Sequence, residues 1–188
     1  NNKNLGCKNS VISAINWFFE NEELGIILEE DCIPDDSFFY FCSNLLQKYK
    51  DHEKISCITG VNFQDGRKIT TSSYYFSKYN HCWGWATWKK SWDLFDEKMT
   101  FWPTMKLQKN WVIDRSMSKE EREYWQDIFE SAYQNLIDSW AYPWLASLWF
   151  RNKITITPEC NLVSNIGFDG LATHTKNRFS RSASKKTF

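Results

Sequence analysis

Apolar positions along this chain follow two periods. Val11, Ile12, Ile15, Phe18 and Phe19 recur at helical spacing behind Asn9 or Ser10, which predicts a capped amphipathic helix over residues 10–22. Gly25-Ile26-Ile27-Leu28 then reads as a short strand buried on both faces. It delivers three consecutive acids, Glu29, Glu30 and Asp31, before Cys32-Ile33-Pro34 stops it, because proline cannot donate to a ladder. Asp35 and Asp36 precede a second apolar stripe, Phe38, Phe39, Phe41, Cys42, Leu45, Leu46 and Tyr49, closing on Lys48 and Lys50 at the favourable end of a helix. Ile55-Ser56-Cys57-Ile58-Thr59 is the next strand. Strand, helix, strand is the unit that builds a parallel sheet, so the pattern predicts an α/β core.

Beyond the Asp65-Gly66 turn, Tyr74–Tyr79 is aromatic enough for a strand. In His81-Cys82-Trp83-Gly84-Trp85-Ala86-Thr87-Trp88 two tryptophans flank a glycine. That suggests a backbone passing close to a ligand, with Trp85 as a candidate ligand-binding residue, although core stacking is the commoner reason for such runs. Ser118 and Glu121 form a capping box for a helix carrying Tyr124, Ile128, Phe129, Ala132, Tyr133, Leu136 and Ile137. Pro143 restarts a short helix with Trp144, Leu145, Leu148 and Trp149, and Ile154–Pro158 is the last predicted strand. Residues 1–175 read as one α/β domain. The segment 176–188 carries Lys176, Arg178, Arg181, Lys185 and Lys186 with no acid, a basic tail of the kind that stays flexible, folds over a diphosphate or leans on an anionic membrane surface.

Composition narrows the function. With 188 residues, 42% of them hydrophobic, the chain can bury a core. Its 23 cations balance 23 acids, so nothing marks a nucleic-acid binder. No apolar run approaches the ~20 residues of a membrane span, and Asn1-Asn2-Lys3-Asn4 is not a signal peptide, which places the expected chain in the cytoplasm or peripheral to the inner membrane. Cys7, Cys32, Cys42, Cys57, Cys82 and Cys160 contain no Cys-x-x-Cys pair and read as reduced core residues. Eleven tryptophans are mostly core, though aromatics also line sugar-sized pockets.

The acidic trio is the sharpest chemical signal. Carboxylates at a strand's C-terminal end lie where α/β sheets bind ligands, and they are hard ligands for magnesium or manganese. A charged turn in which Asp35 or Asp36 caps the following helix explains the same residues equally well. A glycoside hydrolase is less favoured, because adjacent acids on a strand face opposite ways.

Ile27-Leu28-Glu29-Glu30-Asp31-Cys32-Ile33-Pro34 and Ser37-Phe38-Phe39-Tyr40-Phe41 resemble the metal strand and following helix of GT-A-type glycosyltransferases, with N-acetylglucosaminyltransferase I as a distant likeness. The 81–88 run, Pro158–Phe168 and Thr173-His174-Thr175 are similar to bacterial nucleotide-diphospho-sugar transferase-like (hemolytic-protein-like) proteins, so the resemblance spans about residues 5 to 175. It implies a partial GT-A, Rossmann-like fold, with a mixed, mostly parallel sheet flanked by helices. It also implies inverting transfer of a sugar from a nucleoside-diphosphate donor to a glycan or lipid-linked acceptor, assisted by Mn2+ or Mg2+. On that likeness Asp31 is the metal ligand, His174 completes the metal site, and Glu29 and Glu30 hold the donor, with Glu30 standing where aspartate is usual. Asp138 is the general base, with Trp140 and Trp144 expected to desolvate it; Asp127 and Asp114 compete for that role, and capping of the next helix is the plainer explanation. The half that holds the nucleotide base normally precedes the metal strand. The resemblance therefore implies a C-terminal portion whose open sheet edge a homodimer would cover, or a non-catalytic remnant that binds carbohydrate or a partner protein through a Trp-rich surface.

Overall fold

The computed structural model describes residues 4–108 and 117–167. In chain order its elements are α1 (Gly6–Phe19), β1 (Leu24–Ile27), β2 (Cys32–Pro34), α2 (Asp36–Lys48), β3 (Ile55–Thr59), β4 (Tyr74–Ser77), β5 (Trp85–Trp88), α3 (Lys89–Trp92), α4 (Trp102–Met105), α5 (Lys119–Tyr133), α6 (Ala141–Phe150), β6 (Ile154–Pro158) and β7 (Val163–Asn165). They fall into two compact units, each interrupted in sequence. One takes residues 24–88 and 154–167, the other residues 4–23, 89–108 and 117–153.

The first unit is α/β. Among the described residues it holds a mixed five-stranded sheet of order β1-β5-β3-β6-β4 and a two-stranded ribbon of β2 and β7. β1 and β3 do point the same way, as the strand-helix-strand pattern predicts. They are not neighbours, because β5 runs antiparallel between them, with Ile26 and Ile58 both opposite Ala86. Only β3 and β6 pair in parallel, while β4 pairs antiparallel with β6, so the expected mostly parallel sheet is corrected to a mostly antiparallel one. The cause is β5: Trp85, Ala86, Thr87 and Trp88 are all buried and show no alternation, so the run does not declare itself as a strand. β1 is also corrected. It is an edge strand, half-buried on most of its length rather than enclosed on both faces.

Helix α2 packs against β1, β3 and β5. Asp35 caps it, accepting from the Ser37 amide (2.9 Å) and hydroxyl (2.6 Å), bonds that favour its carboxylate and lower its pKa. Phe38, Cys42, Leu45 and Leu46 form the buried face, against Ile55, Ile58, Ala86, Trp88, Ile156 and Val163. The Trp88 indole donates to the Leu46 carbonyl at 3.1 Å. At the far end of the helix Lys48 donates to the Tyr74 hydroxyl (2.8 Å), which lies 2.7 Å from that of Tyr49. Two glycines permit the closest packing: a Cβ on Gly60 would sit 2.5 Å from Val163 Cγ2, and one on Gly84, at φ +65°, would sit 2.8 Å from the same atom. The Gly60 amide donates to the Gly84 carbonyl at 2.8 Å, and the side chains of Val163 and Phe38 take the space a Cβ at either glycine would need.

The second unit is helical, and Trp92, Trp102, Trp140, Trp144 and Trp149 are buried in its core. α1 starts earlier than its apolar pattern suggests, at Gly6, whose amide donates to Asn4 Oδ1 (2.9 Å); Asn9 and Ser10 lie inside it. Trp92 packs on Phe95, Trp144, Trp140 and Phe19 at centroid distances of 4.6 to 6.5 Å. α5 and α6 meet through Phe129, Trp125 and Trp149. Ser118 caps α5, accepting from the Glu121 amide at 3.1 Å as the capping box predicts. The helix then stops at Tyr133, because Asn135 takes φ 56° and the Leu136 amide turns back to the Ser131 carbonyl (2.9 Å), leaving Leu136 and Ile137 outside.

Of the six cysteines, Cys32, Cys42 and Cys57 are buried as expected and Cys82 is half-buried, whereas Cys7 and Cys160 are on the surface. Among the described residues no helix is long and apolar enough to cross a membrane. The 176–188 tail lies outside the described residues.

Candidate functional site

Strand register brings one set of loops to one edge of the sheet. β1 and β3 end opposite Trp85, the first residue of β5, and β6 ends opposite Tyr74, the first residue of β4. Residues 28–31, 60–64, 81–84 and 159–162 therefore emerge together, at the C-terminal ends of β1, β3 and β6. This is the edge expected to bind ligands in α/β sheets.

The acids do not stand on the strand. β1 ends at Ile27, and Glu29 to Cys32 form a β-turn closed by the Cys32 amide on the Glu29 carbonyl (3.0 Å). Nor does Pro34 end β1: it is the last residue of β2, where it lies opposite Val163 in a two-stranded ribbon that tolerates a missing donor. The Asp35 amide takes up the next bond, to the Leu162 carbonyl at 2.9 Å.

Asp31 is half-buried and held on several sides. Its carbonyl accepts from the Ile166 amide (2.9 Å), the Cys32 thiol donates to Oδ1 (3.6 Å), and Gly167 closes on Oδ2. The Gly167 amide donates to Asn165 Oδ1 (2.8 Å), which fixes the glycine in that position. Among the described residues no lysine or arginine pairs with Asp31. Glu30 is exposed and Glu29 half-buried. Burial pushes the Cys82 thiol up, and the Glu29 carboxylate adds to the effect. Cys32 is likewise pushed up to about 11 by burial, with Asp31 and Glu29 contributing.

Among the described residues no three His, Cys, Asp or Glu side chains converge into a group that could hold a metal ion. His174 lies outside the described residues.

The neighbouring loops are braced by Asn62. It is buried, its amide group donates to the Pro158 (2.8 Å) and Glu159 (2.7 Å) carbonyls, and its Oδ1 accepts from the Gln64 amide (2.7 Å), while its own N–H donates to Asn161 Oδ1 (3.0 Å). Thr59 Oγ1 donates to the His81 carbonyl at 2.9 Å. Between these bonds stand half-buried aromatic rings: Phe63 packs on His81 (4.5 Å) and Trp83 (5.3 Å), and Tyr79 stacks on His81 (6.0 Å). Trp85, by contrast, is 1% exposed inside β5 and presents no surface to a donor. Trp83 is the tryptophan this edge offers. A sequence reading misses Asn62 and Gly167, and the one signal either leaves is a small polar or unsubstituted residue two or three positions after a strand.

Asp138 belongs to the helical unit. It is exposed, with Oδ2 3.8 Å from where a Cβ on Gly6 would stand, beside the first turn of α1. Trp140 and Trp144 are buried in the helical core and do not enclose it. Asp138 does not cap α6 either, since Ser139 Oγ accepts the Ala141 amide (3.2 Å) there. Asp127 is exposed on α5, and Asp114 lies outside the described residues. Trp85, Trp88, Trp92, Trp102, Trp140, Trp144 and Trp149 are buried, so among the described residues Trp17, Trp83 and Trp125 are the tryptophans with surface to offer a carbohydrate or a partner.

No family model matches this chain, and no curated protein matches it.

Proposed function

We propose that the chain carries the metal and diphosphate side of a glycosyltransferase that moves a sugar from a nucleoside-diphosphate donor to a glycan or lipid-linked acceptor. The observation that supports this reading is the acidic turn itself. Asp31 stands at the C-terminal edge of the sheet, its carboxylate positioned by Gly167 and the β2–β7 ribbon and paired with no described cation. In this reading Asp31 ligates Mn2+ or Mg2+, whose charge offsets that of the diphosphate leaving group. Glu29 and Glu30 orient the donor's hydroxyls, and Trp83 rather than Trp85 faces it. On the family resemblance His174 is a second ligand. Asp138 accepts the acceptor's hydroxyl proton, a role its exposure permits without any shielding by Trp140.

Calorimetric titration of UDP, GDP and their sugars, with and without manganese, tests this. Manganese-dependent binding that Asp31→Ala removes is the expected result. Glycan or protein binding indifferent to Asp31 would instead favour a non-catalytic binding module.

A further inference from the structure

The helical unit holds an open cavity of about 270 Å³ between α1 and the segment that joins α3 to α4. Ile12 and Asn16 line it from α1, Trp92 from the end of α3, and Asp93, Phe95 and Glu97 from the turn that follows. Local bonds fix that turn. The Asp93 amide donates to the Lys89 carbonyl and the Phe95 amide to the Trp92 carbonyl, both at 2.8 Å. Asp96 braces the same turn: its amide donates to Ser147 Oγ (3.0 Å), and its Oδ2 accepts from the Thr100 amide (2.7 Å) and hydroxyl (2.6 Å). The Trp92 indole donates to Asn16 Oδ1 at 2.7 Å and ties the two walls together. The cavity is therefore preformed, which spares a ligand the cost of ordering it.

Its lining sets one aromatic ring among polar groups with bonding capacity to spare. Phe95 is half-buried and stacks on the buried Trp92 at 4.6 Å. The Asn16 side-chain NH2 has no partner among the described residues. The Asp93 carboxylate accepts from Lys89 Nζ at 2.9 Å through both oxygens, and each oxygen keeps a second lone pair. Glu97 lies 3.7 Å from Lys8 Nζ, an ion pair too long for a hydrogen bond, so its acceptors are open as well. We propose that this cavity binds one pyranose ring of a glycan, with Phe95 packing on the sugar's C–H surface, Asp93 and Glu97 accepting from its hydroxyls and Asn16 donating to one. Charge selects a neutral polyol over an organic cation, because Lys89 and Lys8 already balance the two acids. An apolar ligand would leave the three polar groups without water or partner. Size agrees, since pockets for drug-sized ligands run from ~300 to 1,000 Å³ and this one holds a single ring. The inference goes beyond the donor-site reading and does not depend on it.

Saturation-transfer NMR of the full 188-residue chain with the methyl glycosides of glucose, galactose, mannose and N-acetylglucosamine, without metal or nucleotide, tests the proposal. At least one glycoside is expected to receive saturation, most strongly at the ring protons of one face. Asp93→Ala is expected to raise its Kd about tenfold, and Phe95→Leu to weaken it about fivefold or more. Asp93→Asn, which keeps an acceptor and removes the charge, is expected to stay within about threefold of the unaltered chain. Tyr124→Ala, at an aromatic position 54% exposed on α5, is expected to change nothing. Asp93 is exposed, so its replacement keeps the fold and carries the test even where Phe95→Leu lowers stability. Absence of saturation for all four glycosides would overturn the proposal. So would a Kd that Asp93→Ala leaves within twofold, or tetramethylammonium binding more tightly than every glycoside. Asp31→Ala is expected to keep sugar binding while losing manganese-dependent nucleotide binding. A transferase holds an acceptor sugar as well as a donor, so the two readings fail separately.

Discussion

Gly167→Ala is a small change aimed at one carboxylate. A Cβ at this position would run into Asp31 Oδ2 and stand 3.0 Å from Asp31 Cγ and 3.1 Å from its Cβ. Gly167 is itself held by its amide bond to Asn165 Oδ1 (2.8 Å), and Ile166 by its bond to the Asp31 carbonyl, so the backbone has little room to retreat and the side chain of Asp31 must move. Restoring ordinary contact requires a displacement of roughly one ångström. Misplacement on that scale costs on the order of 100-fold where geometry matters, and about tenfold or more in manganese-dependent UDP or GDP affinity is expected. Stability should change little, by about 1 kcal/mol, because the site is half-buried and a rotation of Asp31 relieves the clash. Gly66→Ala is the opposite control. Gly66 has φ +77° with nothing within 4 Å of a new Cβ, so alanine there costs about 1 kcal/mol of backbone strain and leaves nucleotide binding untouched. Calorimetry beside urea denaturation separates the two. If Gly167→Ala bound nucleotide and manganese like the unaltered chain, the contact between Gly167 and Asp31 would not position the carboxylate.

The other predictions concern the two cores and the thiols. Gly60→Ala should cost about 1–3 kcal/mol by overpacking, since its Cβ meets Val163 and Phe38 at 2.5 to 2.7 Å; chemical denaturation measures it. Glu130 accepts from the Trp102 indole (2.8 Å), Lys106 (2.8 Å) and Gln134 (3.0 Å), and these bonds lower its carboxyl to about 2, Lys106 contributing most. Its folded value lies below the unfolded one of ~4.3, so the stabilisation is present above that pH and disappears as pH falls through about 2. Glu130→Gln should lower stability by about 1 kcal/mol at pH 7, a figure kept small because the pair is about one-third exposed, and the difference should vanish near pH 2 in urea titrations. Iodoacetamide at pH 8 should label Cys7 and Cys160 but spare Cys32, Cys42, Cys57 and Cys82 until the chain unfolds, as read by mass spectrometry. Asp138→Asn should abolish sugar transfer while leaving nucleotide affinity within twofold, and normal turnover by the variant would remove Asp138 from the base role.

Local chemistry was legible wherever one side chain settles one structure. The Asp35 and Ser118 caps, the apolar stripe of α2, the run Ile55–Thr59 and the Pro143 helix all follow from residue type and spacing. Pairing was not legible. Whether β1 and β3 touch depends on a third strand formed 26 residues after β3, and Trp85–Trp88 is enclosed on both faces with no period to reveal it. β7 has only three residues, and it is β7 that turns Cys32-Ile33-Pro34 from a stop into a ribbon strand. The acids at 29–31 were visible as candidates; that they occupy a turn with Gly167 against Asp31 depends on a contact spanning 136 positions, which no local pattern encodes. The same limit explains Trp85, which sequence offers to a ligand and the sheet encloses.

Titration of Mn2+ into this chain in the presence of UDP or GDP, followed by the paramagnetic resonance signal of the free ion, tests the central claim most directly. The account predicts that nucleotide and protein together remove the free-ion signal well beyond what nucleotide alone removes, and that Asp31→Ala abolishes the excess. An equal excess in Asp31→Ala, or none with either nucleotide, would contradict the assignment of Asp31 as the metal ligand of a donor site.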